Sequence, residues 1–245
     1  MKKFLLLFCA MTLALTSCSS DDSNDDSSDS VLLKKIVLTG SAGKTTVNYT
    51  YNGNKLVSVI DDFKVINMHY TYTGDLITKI EFKFPDGSIE QTNTFSYGTD
   101  GKLATFVRVE SEGEGLWGYK EVYTYNANGT VSVKGYSGDD KTQTIASGTS
   151  VITFVNGDVF EITSTNSPNH KYTYDSKNNA AKNILGLDKI AFVDGEGTDV
   201  FHNELSDTSD GEIWSTHSYT YNSNDYPEKS TSDEEGESFT SEYFY

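Results

Sequence analysis

A chain of 245 residues is long enough for one large domain or two small ones. Hydrophobic content is low at 36%, yet aromatics reach 13%, so Tyr and Phe must supply much of any core. A formal charge of −17 excludes a surface that attracts DNA, RNA or anionic lipid, so nucleic acid is not expected as a partner.

The N-terminus, "MKKFLLLFCAMTLALTSC", sets two lysines before an apolar run over residues 4–15. That run is too short for a spanning helix, which takes about 20 residues, and reads as a secretory signal over 1–17. Leu15-Thr16-Ser17-Cys18 resembles the lipobox of bacterial lipoproteins. The resemblance implies cleavage before Cys18 and lipidation of its thiol and new amine, an anchor that holds a protein at a membrane stably. Removal of Lys2 and Lys3 leaves 17 basic against 36 acidic side chains. Cys9 is discarded with the signal and Cys18 is modified, so no disulfide is available. Residues 18–30 carry "SSDDSNDDSSDS", with nothing to bury, and read as a tether. Ser20, Asp21 and Asp22 resemble the acidic export signal of Bacteroidota surface lipoproteins; the competing reading is a solvated spacer. The expected location is the outer membrane, lipid-anchored, with the chain exposed at the cell surface.

Residues 31–245 read as one β-repeat domain. An aromatic-x-aromatic pair, a polar turn and a second alternating run recur. The pairs are Tyr49/Tyr51, Tyr70/Tyr72, Phe95/Tyr97, Tyr123/Tyr125, Ile152/Phe154, Tyr172/Tyr174, Tyr219/Tyr221 and Tyr243/Tyr245. Their second members lie 20 to 29 residues apart, with one gap of 47 that predicts a degenerate unit between Lys182 and Trp214. The turns ("NGN", "TGD", "GTDG", "NANG", "NGD", "SKNN", "NSND") use residues that tolerate positive φ. In a strand, i and i+2 share a face, so each pair points to one side and the Thr or Ser between points to the other. The prediction is an all-β antiparallel meander of about seven to eight hairpins with a cross-strand aromatic ladder, curled into a half-barrel or sandwich.

"YTYNANGTV", "FSYGTDGKL" and "YTYDSKNN" resemble the YD repeats of RHS-type proteins, and more closely those of secreted Bacteroidota lipoproteins that carry such repeats. Only Tyr174-Asp175 keeps the Tyr-Asp pair, and an RHS toxin shell needs a far longer chain. Residues 183–204, "NILGLDKIAFVDGEGTDVFHNE", break the repeat. A short helix or covering loop is expected there, a place for a plug at one end of the sheet or a distinct functional site.

The remaining motifs carry little chemistry. "GSAGKTT" lacks the spacing and following helix of a phosphate loop, and reads as a hairpin turn. His69, His170, His202 and His217 form no metal-spaced pair, so no metal or other cofactor is expected. No nucleophile elbow is present. The runs Asp194/Glu196/Asp199 and Asp207/Asp210/Glu212 have oxygen ligands spaced with Gly, but neither matches an EF-hand, and solvated turns are the simpler reading. Trp117 and Trp214, beside Gly-rich turns, are the candidate ligand-contacting residues. A membrane-spanning barrel fits the alternation and the terminal Tyr245, but not the lipobox or the Tyr/Thr pattern. The leading expectation is a non-enzymatic surface lipoprotein, a binding or envelope-accessory module for a glycan or an envelope protein. The alternative is a purely structural repeat, and a hydrolase ranks below both.

Overall fold

A computed structural model describes residues 30–64, 67–112, 115–234 and 236–245. Cys18, Ser20, Asp21 and Asp22 lie outside the described residues.

Among the described residues sixteen strands follow one another: β1 Lys35–Gly40, β2 Gly43–Asn52, β3 Lys55–Asp61, β4 Asn67–Thr73, β5 Leu76–Lys83, β6 Ile89–Tyr97, β7 Leu103–Glu112, β8 Gly115–Tyr125, β9 Val131–Asp139, β10 Gln143–Val155, β11 Asp158–Ser164, β12 His170–Tyr174, β13 Glu204–Ser209, β14 Glu212–Tyr221, β15 Pro227–Glu234 and β16 Glu237–Phe244. Each pairs antiparallel with its sequence neighbours, and β1 pairs with β16 from Lys35↔Phe244 to Thr39↔Thr240. The meander is as expected, but it is neither a half-barrel nor a sandwich: it closes. Closure removes the two unpaired edges that an open sheet would expose. "GSAGKTT" is the β1–β2 hairpin, with Gly40 opposite Gly43.

The aromatic or apolar pairs fall at the ends of the even-numbered strands, Tyr245 one residue past β16, and all but those of β12 and β16 stand just before a turn into the next odd strand. That turn is tight, and Gly53 and Gly74 sit there at φ 57°, which a side chain would resist. In six strands the register shifts at the second member, at Tyr51, Tyr72, Tyr97, Phe154, Tyr174 and Tyr221. A bulge at the same place in repeat after repeat adds twist and bend, which a sheet needs to close. The residue facing the second member is most often a deeply buried aliphatic, as at Leu56, Ile77, Leu103 and Val159.

The second Tyr also ties its repeat to the preceding one. Tyr97 Oη donates to Ile77 O at 2.6 Å, Tyr174 Oη to Val159 O at 2.6 Å, and Tyr245 Oη to Pro227 O at 3.0 Å. Tyr72 Oη accepts from Leu56 N at 3.1 Å. The bulge leaves backbone groups without ladder partners, and a phenol satisfies them from inside. At Tyr72, Tyr97, Tyr174 and Tyr245 this accounts for a phenol in place of a plain ring; Phe154 fills the same position without such a bond.

The hairpin ends now differ. At one end lie the even-to-odd turns. There the connection from β12 to β13, residues 175–203, folds into the bore as a plug built around a short 3-10 turn, Leu187–Lys189. Ile190, Phe192 and, at its margin, Leu187 pack with Ile77, Phe95, Phe106, Tyr123 and Ile162; Ile184 packs with Val47, Leu56 and Val59. The 47-residue gap therefore holds no degenerate repeat; the added length is the plug. The odd-to-even connections form the opposite, open end.

The outer face is set by the same alternation. Thr50, Thr71, Thr94, Thr124, Thr173 and Thr220, between or beside the inward aromatics, are exposed, as are Lys134, Lys171 and Thr231. A membrane-spanning barrel instead shows an outward apolar band roughly 25 Å tall.

Candidate functional site

The plug is the floor of a cup. Its position follows from carboxylates that hold its backbone. Asp158, at the start of β11 and almost wholly buried, accepts from Val200 N at 3.2 Å and Phe201 N at 2.8 Å, and contacts His202 Nδ1 at 2.7 Å. Asp175 accepts from Asn203 N at 3.1 Å. Gly197 donates its amide to Tyr172 Oη at 3.0 Å, and a Cβ there would come within 2.9 Å of the Tyr172 ring. Phe192 meets Tyr123 and Phe154 edge-on, each at 5.6 Å between centroids.

Above this floor lies a cavity of about 480 Å³, lined from Pro168, Trp214 and Glu234 at the open end down to Asp199 on the plug. Its wall comes from inward positions of β12 to β15. Burial pushes the Asp199 carboxyl up to about 6, aided by the charge of Glu204. Asn179 Nδ2 donates to Asp199 at 2.5 Å and Glu204 N at 3.2 Å. Asp199 keeps some exposure to the cavity but sits deep in the bore, so the direction of its shift is set by its surroundings. The Glu204 carboxylate, 3.4 Å from His217 Nε2, raises that imidazole against the opposing effect of burial. His217 Nδ1 is 2.8 Å from Ser232 Oγ. His170 Nδ1 is 2.8 Å from Asp207 Oδ2, and its ring stacks on Tyr172 at 6.0 Å. A second cavity of about 400 Å³ beside Tyr49, Met68 and Tyr243 shares Asp199, His217 and Tyr219 with the first.

The sequence candidates separate here. Trp214 lines the cavity and is 47% exposed; Trp117 stands on the same rim at 44% exposure but does not line that cavity. The acidic runs also divide. Glu196, Asp199 and Asp207 enter the cavity, whereas Asp194 pairs with Arg108 and Asp210 accepts from Asn169 N at 2.9 Å. No three acidic, His or Cys side chains are grouped to hold a metal ion among the described residues. Sequence reasoning left His170, His217 and Glu204 out of the candidate site. The signal was parity: in "HKYTY" and "HSYTY" the His shares the face of both tyrosines, whereas His69, adjacent to Tyr70 in "HYTY", is on the other face, opposite Ser58.

No family model and no curated protein matches the chain. Two solved structures resemble it in fold. A porin-like protein from Bacteroides vulgatus ATCC 8482 matches with a TM-score of 0.54 at 14% identity, over 87% of this chain and 98% of that one. A porin-like protein from Bacteroides uniformis ATCC 8492 matches with a TM-score of 0.50 at 13% identity, over 86% and 97%. At these identities the likeness extends to the barrel fold alone.

Proposed function

We propose that the chain is a non-enzymatic envelope protein, tethered to the outer membrane at the cell surface through lipid on Cys18. In this reading the barrel itself stays in water and binds a ligand in its open cup. The carrying observation is the orientation of the wall. Outward positions carry Thr and Lys, with single apolar residues such as Val151 and Phe244 between them, and the aromatic pairs point inward, the reverse of a bilayer-spanning barrel. The plug supports the same reading, since a bore packed with Ile184, Leu187, Ile190 and Phe192 suits binding better than passage. The YD-like repeat is then the unit that builds the cup, one hairpin at a time, and Ser20, Asp21 and Asp22 direct export.

The test is electrical. The full-length chain added to planar bilayers is expected to give no unitary conductance; stable channel openings would contradict the proposal. A ligandless structural barrel is the second reading, favoured by how much of the tyrosine girdle is taken up in packing. It predicts that substitutions in the cavity wall leave every binding measurement unchanged.

A further inference from the structure

We infer that the cup takes a small organic cation, with an amine or guanidinium head seated among the cavity acids and an apolar stem lying against the rim. The inference rests on the cup reading above and names its ligand class.

The charge balance is the first argument. Asp199, Glu204, Asp207 and, at the margins, Glu196 and Glu234 line the cavity; among the described residues its only basic side chains are the imidazoles of His170 and His217, and no Lys or Arg lines it. Acids gathered in a concave, partly desolvated space repel one another, and a cation bearing hydrogen-bond donors offsets that cost. The second argument is an orphaned acceptor. Asp207 points inward from β13 and is 7% exposed; its Oδ2 is held by His170, but its Oδ1 is shielded from water and has no hydrogen-bond partner. The adjacent Thr208 amide favours the charged carboxylate without reaching bonding geometry. A buried carboxylate oxygen lacking a donor is a place for a ligand N–H. The acids are spread along the wall rather than convergent, which suits an extended organic cation better than a metal ion.

The rim supplies the rest. Of the large hydrophobic side chains with high exposure, Phe63 at 66%, Ile89 at 53%, Trp117 at 44%, Ile145 at 64%, Ile213 at 72% and Trp214 at 47% all stand on connections or strand starts of the open end. The plugged end has no counterpart above 41% exposure among the described residues. Trp214 belongs to both features, rim and cavity, and can face a cation with its ring while contacting an aliphatic stem.

The experiment is calorimetric titration of the full-length chain at neutral pH with spermidine and agmatine, beside a neutral aliphatic diol of matched length and a neutral oligosaccharide. The amines are expected to bind and the neutral compounds not to. Asp207→Asn and Glu204→Gln should each weaken amine binding about tenfold or more, as loss of a charged hydrogen-bond acceptor does. Asp233→Asn, on the outer face, should leave it unchanged, and thermal midpoints verify that each variant is folded. Equal loss in Asp233→Asn means diffuse attraction to an acidic protein and overturns the inference. Oligosaccharide binding that depends on Trp214 and Asp207, without amine binding, overturns the cation but leaves the cup reading standing. Absence of amine binding by a folded protein also overturns it. Failure of the cup reading is registered separately, by conductance in bilayers.

Discussion

Arg108 on β7 and Asp194 on the plug form an ion pair across the bore, Nη1 donating to Oδ2. The pair lies in a small network. Asp194 N donates to Glu121 Oε2 at 2.8 Å, the Tyr123 hydroxyl donates to the same carboxylate, and the Arg108 guanidinium lies 4.5 Å from the Tyr119 ring centroid. Asp194 itself has φ 65°, so the plug turns sharply where it meets the wall. The network latches the plug's tip to β7 and β8, away from its hinge strands β12 and β13.

Arg108→Ala is therefore expected to lower stability by about 1–3 kcal/mol, the range for a charge-assisted hydrogen bond lost from a partly shielded pair. It also leaves Glu121, whose carboxyl burial already pushes up, with less compensation. Hydrogen exchange checks the location: amides around 190–198 should lose protection before those of the wall. Unchanged exchange there would show that the latch is ornamental.

The tyrosine girdle makes two separable contributions. Tyr123 is 6% exposed, and Tyr123→Ala should cost about 3–5 kcal/mol by leaving a cavity. Tyr97→Phe keeps the ring and removes only the bond to Ile77 O, so about 1–2 kcal/mol is expected, including the stranded carbonyl. Trp117→Ala, on the exposed rim, should cost less than either. Urea midpoints at constant slope rank the three; a Trp117 cost equal to that of Tyr123 would contradict the assignment of inside and rim.

The pH dependence has a definite sign. Asp199 is raised from 3.8 to about 6, chiefly by burial, so the folded state binds a proton between these values that the unfolded chain has released. Its destabilising effect is absent below the unfolded value, develops as pH rises through that window, and is fully present above about 6. His217 is raised by Glu204; its contribution is full below the unfolded pKa and is lost as pH rises through the folded one. Both make the barrel more stable near pH 5 than near pH 8. Asp199→Asn, which can keep its two hydrogen bonds, should raise the thermal midpoint at pH 8 and flatten the profile between pH 4 and 6. A midpoint that climbs from pH 5 to pH 8 would contradict the assignment.

Processing at the N-terminus is testable apart from the barrel. Cys18→Ala should leave the precursor uncleaved and unlabelled by fatty acid. Alanine at Asp21 and Asp22 should reduce protease access on intact cells; unchanged access would leave Ser20, Asp21 and Asp22 as a spacer.

Much of this architecture is legible in the chain because it repeats. The facing of Tyr49/Tyr51 and its counterparts follows from period-two alternation, and the break at residues 183–204 marks the plug. Closure is not legible, because it rests on Ile36↔Tyr243 and its neighbours, contacts between opposite ends of the domain that no local pattern encodes. The candidate site was only half legible. Trp214 announces itself by type. Glu204 and Asp207 occupy inward positions where the pattern predicts apolar side chains, and their role depends on the plug that bends back to bring Asp199 beside them. The strand "ELSDTS" has one aliphatic residue, the exposed Leu205, where odd strands such as β3 and β5 carry several, so the repeat signature is weak at a strand that lines the cavity.

The central claim is that the wall of this barrel faces water. It is tested most directly by secreting the chain from residue 19 onward behind a signal peptide that is cleaved without lipidation, then fractionating the cells. The account predicts a folded β-barrel in the aqueous fraction, stable without detergent. Retention in the membrane through high-salt and alkaline washes, with folding that requires detergent, would contradict it.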